Sequence, residues 1–184
     1  MLRGNKELWA AFLAIIMITA IYGFVLTTTR EIPPASELFG HGMGIVGFVF
    51  MLMTETLYSL RKRSRSVKWG KMSMWLQLHI FTGIVGPYMV LLHTSWKFNG
   101  IAGVTTLLTI IIVFSGFIGR YIYTRIPRTI DGLEIEGTLS QEALKQARRL
   151  MALWHTVHIP IGMTLFISAF VHIGAALYYA TFLK

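Results

Sequence analysis

The stretch WLQLHIFTGIVGPYMVLLHTSW, residues Trp75–Trp96, holds two histidines fourteen positions apart in an otherwise apolar segment. A membrane-spanning helix needs about 20 consecutive apolar residues, so this stretch is long enough to cross a bilayer. Fourteen residues make about 3.9 helical turns, which places His79 and His93 on nearly the same face, about 21 Å apart along the axis. Because imidazoles are costly in hydrocarbon, two of them in one span indicate a function.

A second apolar stretch near the C-terminus repeats this spacing, with His158 and His172 again fourteen positions apart. His155 is a competing candidate for the first position of this pair. It precedes His172 by 17 residues, about 4.7 turns, which would put the two side chains roughly 100° out of register. The repeated spacing therefore favours His158.

The rest of the composition predicts an all-α integral membrane protein that forms one domain, residues 1–184. Hydrophobic residues make up 54% of the chain, the mean hydropathy is +0.61, and charged residues make up 14%. A balance this apolar is unusual for a water-soluble domain. We predict a bundle of five transmembrane helices and, between the last two, a loop over about 120–153 containing an amphipathic helix. The predicted helices are Leu8–Thr27, Leu38–Leu60, Trp75–Trp96, Gly100–Ile118 and about Trp154–Phe182.

The basic residues predict the topology of these helices. Of the 17 Lys and Arg, 14 fall on the side of the N-terminus and three on the other side, Arg30, Lys97 and Lys184. Basic loops face the cytoplasm, so we expect a cytoplasmic N-terminus and a C-terminus outside. The third and fifth helices then run in parallel, and the two histidine pairs match in depth. A net charge of +9 can also indicate nucleic-acid binding, but no nucleic-acid-binding motif accompanies it.

Two depth-matched pairs of histidines are the ligands that two stacked b-type haems require. We predict an inner haem held by His79 and His158 and an outer haem held by His93 and His172, both non-covalent. The chain has no cysteine, which excludes covalent c-type haem and Cys-ligated iron–sulfur clusters. The alternatives are histidines satisfied by neighbouring helices, or a dinuclear metal centre, against which the separation of about 21 Å within each pair argues.

Other residues are candidates for contacts with the cofactor. Gly83 and Gly86 lie between the histidines of the third helix, where a missing side chain lets a flat ring approach the backbone. Close helix packing through small residues explains them equally well. Arg120 and Lys97 could bind the propionates of the inner and outer haem, or simply anchor helices at the membrane boundary.

Three further polar residues could serve a quinone or a proton. Glu55 lies about two turns inside the second helix, where it could bind a quinol hydroxyl or extend toward the basic loop. His41 begins that helix near the outer face. It and His155 could contact a propionate or quinone, or could be ordinary interfacial residues.

The paired histidines on the third and fifth helices resemble those of di-haem b-type membrane cytochromes. These include the transmembrane domain of ferric reductases and NADPH oxidases and the N-terminal core of respiratory cytochrome b. The resemblance covers roughly residues 38–182. The chain departs from the first group by lacking a sixth helix and a dinucleotide-binding glycine motif, and from the second by lacking further helices with a quinol-oxidation motif.

The resemblance implies an electron-transfer subunit of an oxidoreductase complex in a bacterial or archaeal cytoplasmic membrane. Its expected partners are a quinone and other redox subunits, either multihaem cytochromes or iron–sulfur proteins; quinol oxidation by the chain itself is left open. The first alternative is a stand-alone transmembrane reductase of ferric iron or oxygen, fed by a separate flavoprotein. The second is a haem-free membrane anchor.

Overall fold

The computed structural model describes residues 5–63, 70–126 and 140–182, and this part of the chain is helical without strands. Every helix is long enough to reach across a bilayer. The five helices are α1 (Lys6–Thr29), α2 (Leu38–Arg63), α3 (Met72–His93), α4 (Gly100–Arg125) and α5 (Gln141–Phe182).

The five predicted spans are confirmed as helices, but several of their ends differ. Helix α3 ends at His93 rather than Trp96, because Ser95 and Trp96 adopt left-handed backbone conformations with φ of 49° and 62°. Helix α4 continues past Ile118 to Arg125. The added turns contain basic and aromatic residues, which lie beyond the apolar run from which the span was predicted.

The amphipathic helix predicted to lead into the last span is continuous with it. Helix α5 runs without interruption for 42 residues from Gln141, after Ser140, whose hydroxyl accepts a hydrogen bond from the Ala143 N–H. A helix of this length measures about 63 Å, roughly twice the hydrocarbon thickness, so about half of it lies beyond the apolar layer. The irregular first part predicted for this loop, residues 127–139, lies outside the described residues.

Two helix pairs, α2 with α3 and α4 with α5, make the most extensive contacts, while α1 packs on α3 and α3 also touches α4. Glycines bring α2 and α3 together, since a Cβ on Gly47 would lie 2.8 Å from the carbonyl oxygen of Gly86. Small residues at a crossing let backbones approach closely, which favours helix association in lipid.

Hydroxyl pairs link the helices at other depths. The hydroxyls of Thr54 and Thr82 lie 2.7 Å apart between α2 and α3. Those of Thr105 and Ser168 lie 2.7 Å apart between α4 and α5. Such bonds contribute about 0.6 kcal/mol each on average in a membrane bundle.

Apolar side chains cover the outside of the bundle, the reverse of a water-soluble protein. Phe24 is 71% exposed and Phe114 is 67% exposed, among many others. All five helices are long and apolar enough to cross a membrane. Exposed apolar surface on this scale is stable in contact with lipid, which supports a multi-pass integral membrane protein.

Candidate functional site

His79 is held by the backbone of a neighbouring helix. Its Nδ1 atom lies 2.8 Å from the carbonyl oxygen of Thr54 in α2. The Tyr58 ring, one turn further along α2, lies 5.0 Å from the imidazole. A carbonyl oxygen can only accept, so Nδ1 bears the proton and Nε2 keeps its lone pair. This is the state in which a neutral histidine binds a metal.

His93, at the opposite end of α3, is held in the same way. Its Nδ1 donates to the carbonyl oxygen of Gly40, 2.8 Å away, in the first turn of α2. Gly44 lies against the ring, because a Cβ there would come within 2.7 Å of the imidazole. The lone pair of Nε2 is again free for a ligand.

His158 in α5 takes its support from α4. Its Nδ1 lies 3.0 Å from the Ser115 hydroxyl, and its ring stacks on Trp154 with centroids 4.5 Å apart. Trp154 in turn donates from Nε1 to the Ser115 carbonyl oxygen at 2.7 Å. The indole occupies the space beside Gly119, where a Cβ would lie 2.2 Å from it. One serine therefore positions both aromatic rings.

Within each predicted pair the two histidines are near enough to interact electrostatically, His158 with His79 and His93 with His172. His172 has no hydrogen-bond partner among the described residues.

The helices that bear these pairs do not themselves pack together. Within the described ranges no Cα atom of α3 lies within 8 Å of one in α5, although both helices contact α4.

These residues fit a haem better than a bare metal ion. No group of three or more His, Cys, Asp or Glu side chains in residues 5–63, 70–126 and 140–182 could hold a metal ion. A haem needs only two axial ligands from the protein, since its porphyrin supplies the other four. The anchored Nδ1 atoms of His79 and His93 leave suitable nitrogens for this purpose.

The two glycines predicted to face a cofactor face α2 instead. A Cβ on Gly83 would meet Thr54 at 3.3 Å, and one on Gly86 would lie 2.9 Å from the backbone of Gly47. Their role is the close helix packing that the sequence also allowed. It replaces the cofactor contact, because the missing side chains leave room for the partner helix.

The predicted propionate partner Arg120 is already engaged. Its guanidinium forms an ion pair with Glu7 of α1 at 2.8 Å and a hydrogen bond to Asn5 at 3.0 Å. The Glu7 side chain is 1% exposed, and a buried carboxylate is stabilised by a paired cation. Arg120 is thus engaged by α1, a contact that the sequence does not reveal, and its predicted contact with a propionate stays a prediction. Lys97 is exposed beyond α3, consistent with an anchor at the boundary.

The candidates for a quinone or proton lie at the two ends of the site. His41 is exposed, with its ring 6.3 Å from that of His93. Glu55 is exposed on α2 and interacts electrostatically with His79. His155 lies beside Trp154, with ring centroids 4.8 Å apart.

Sequence reasoning missed Ser115, Trp154 and Glu7. Ser115 lies in an apolar helix with no motif around it, and its role becomes visible only when α5 is placed beside α4. A buried carboxylate in the first turn of α1 could have been suspected from its position within an apolar span.

Comparison of this chain with protein-family models, with curated proteins and with solved structures finds no match. The functional assignment therefore rests on the side-chain geometry.

Proposed function

We propose that this chain is the membrane cytochrome b subunit of a larger redox complex. It transfers electrons across the membrane, between a quinone pool and partner redox subunits, through two b-type haems. His79 and His158 ligate the inner haem, and His93 and His172 ligate the outer one. The observation that carries the proposal is the anchoring of His79 and His93 through Nδ1 to backbone carbonyls, which leaves the Nε2 lone pair of each available to a ligand.

The haem supplies the redox-active iron when it is bound, and the chain supplies the ligands and the environment. Hydrogen bonds from Nδ1 of His79 and His93 to backbone carbonyls hold the rings in place and raise the basicity of Nε2. The surrounding apolar helices keep water away from the sites. Two histidines per iron leave no open coordination position, so the proposed role is electron transfer rather than oxygen binding at iron.

The proposed orientation of the protein in the membrane is based on the distribution of its basic residues. Fourteen of the 17 Lys and Arg lie on the side of the N-terminus. Under the positive-inside rule this side is cytoplasmic, which makes the His79 end the inner one. Glu55 and His41, both exposed and close to the histidine pairs, are the proposed contacts for a quinone at the inner and outer end.

Haem stoichiometry of the purified chain tests the proposal. We expect a reduced-minus-oxidised spectrum with a b-type α-band and about two haems per chain. A protein purified at full yield from haem-replete cells without this band would overturn the proposal and favour a haem-free anchor.

Purification from the native membrane separates the proposed subunit from a stand-alone reductase. Co-purification with multihaem cytochrome or iron–sulfur subunits is expected for the subunit. A solitary di-haem protein that reduces ferric iron when mixed with a reduced flavoprotein would identify the reductase instead.

A further inference from the structure

The outer histidine of α3 is enclosed by a short segment that comprises the end of the α1–α2 linker and the first two turns of α2. We call residues 33–44 the positioning segment. Its Gly40 carbonyl oxygen accepts the hydrogen bond from Nδ1 of His93 at 2.8 Å. Since a carbonyl has a defined direction of acceptance, this bond limits the rotation of the imidazole about its side-chain torsions.

The position of Gly40 is itself set by close packing within the segment. A Cβ on Gly40 would lie 2.2 Å from the carbonyl oxygen of Pro34, so the first turn of α2 rests directly on the preceding linker. Any larger residue would move the Gly40 carbonyl, and with it the acceptor for His93.

One helical turn further along, Gly44 supports the ring itself. A Cβ on Gly44 would lie 2.7 Å from Cγ, 2.8 Å from Nδ1 and 2.9 Å from Cδ2 of His93. The imidazole therefore lies against the α2 backbone at van der Waals distance. Gly42, two residues earlier, has nothing within 4 Å of an added Cβ. Space for His93 is required at Gly44 and not at Gly42.

The chain beyond His93 is attached to the same segment. The buried Ser95 hydroxyl donates to the carbonyl oxygen of Pro33 at 2.6 Å. Ser95 and Trp96 both have positive φ, a conformation that costs about 1–2 kcal/mol per non-glycine residue. Such a turn persists only where its surroundings hold it, and the bond to Pro33 is one such constraint.

The two inner histidines are held by contacts outside the positioning segment. His79 is held by a carbonyl in the middle of α2, and His158 by a side chain of α4. Of the described glycines, Gly44 is the one whose added Cβ would meet a predicted ligand ring. The orientation of His93 thus depends on a local segment that does not touch the inner pair.

We propose that the positioning segment sets the ring plane of His93 and thereby tunes the outer haem independently of the inner one. Within it, Gly40, Gly44 and Pro33 act as positioning residues through contacts with His93 and Ser95. The inference rests on the proposed haem ligation. It adds that the positioning segment determines the spectroscopic signature and the potential of one of two similar haems.

The experiment uses Gly44→Ala in the full-length, haem-loaded chain, with Gly42→Ala as the matched control. Electron paramagnetic resonance of the ferric protein and a redox titration are recorded for both. In Gly44→Ala we expect the low-spin signal and the midpoint potential of one haem to shift, or that haem to be lost. The other haem should keep its wild-type values, and Gly42→Ala should match wild type throughout.

Ser95→Ala provides a second variant that places no atom against the ring. It removes the bond to Pro33, and we expect a smaller shift of the same haem. If Gly44→Ala does not accumulate, the Ser95→Ala variant alone tests whether the positioning segment tunes one haem. Unchanged signals in the variants, or equal shifts of both haems, would overturn this inference while leaving two haems per wild-type chain. Absence of haem from the wild-type chain would instead reject the proposed function.

Discussion

The Nδ1 atom of His158 lies 3.0 Å from the hydroxyl oxygen of Ser115, across the interface between α5 and α4. The same serine accepts the Trp154 indole N–H through its backbone carbonyl, and Trp154 stacks on His158. Ser115 therefore links a candidate ligand and its stacking partner to one point on α4. The hydroxyl can be removed while the carbonyl stays, which separates the two contacts experimentally.

Ser115→Ala should weaken haem binding at the inner site. Loss of a hydrogen-bond partner of a metal-binding histidine reduces affinity by about 10- to 100-fold. Haem content after stepwise extraction, measured by optical spectroscopy, should show one of two haems lost more readily than in wild type. Ser115→Thr keeps a hydroxyl and should restore retention. Equal retention in all three proteins would show that the serine does not support a ligand.

Replacing the histidines in pairs should remove one haem at a time. We expect His79→Ala with His158→Ala to leave one haem per chain, and His93→Ala with His172→Ala to leave the other. Because His79 and His158 have different hydrogen-bond partners from His93, the two remaining haems should differ in their potentials. Haem-to-protein ratios and redox titrations provide the measurement. Retention of both haems in either double variant would contradict the ligand assignment.

Gly119→Ala should displace Trp154, since the added Cβ would lie 2.2 Å from its indole ring. Overpacking of this kind costs about 1–3 kcal/mol. Gly116→Ala is the matched control on the same helix, because nothing lies within 4 Å of its Cβ. We expect thermal unfolding in detergent at a lower temperature for the first variant only, with an altered spectrum of the inner haem. Identical unfolding of the two variants would argue against the observed packing of Trp154.

Glu7→Gln should destabilise the bundle, because it leaves the Arg120 guanidinium without its buried carboxylate. Removal of one partner from a buried ion pair costs about 3–5 kcal/mol. Glu31→Gln, at an exposed position between α1 and α2, is a control that should behave as wild type. The measurement is denaturant or thermal unfolding of the purified chain. Combining Glu7→Gln with Arg120→Met should recover part of the loss, and a stable single variant would show that the pair is dispensable.

The transmembrane helices and the shared helical face of each histidine pair could be predicted, because both depend only on the local sequence. Runs of about 20 apolar residues define spans because each must satisfy its backbone within one helix in lipid. The interval of fourteen residues places two side chains on one face in any helix, whatever surrounds it. Phase likewise favoured His158 over His155 as a ligand, and this choice stays a prediction.

Contacts between helices could not be predicted, since they depend on which faces meet. Arg120 was expected to contact a haem propionate, whereas its long side chain reaches Glu7 of α1 and forms an ion pair with it. From the sequence, Gly83 and Gly86 could equally face a flat ring or a neighbouring helix. In the structure both lie against α2.

From the sequence alone, the number of spans could be predicted and is confirmed, because it follows from solvation in lipid. The histidines that would ligate two haems stay a prediction from helical geometry. Tertiary structure decided how His79, His93 and His158 are oriented, because their hydrogen-bond partners are carbonyls and a hydroxyl on other helices. A carbonyl is present at every position of the chain, so its role as a partner has no sequence signature. Only the packing of α2 on α3 and of α4 on α5 selects which oxygen each histidine meets.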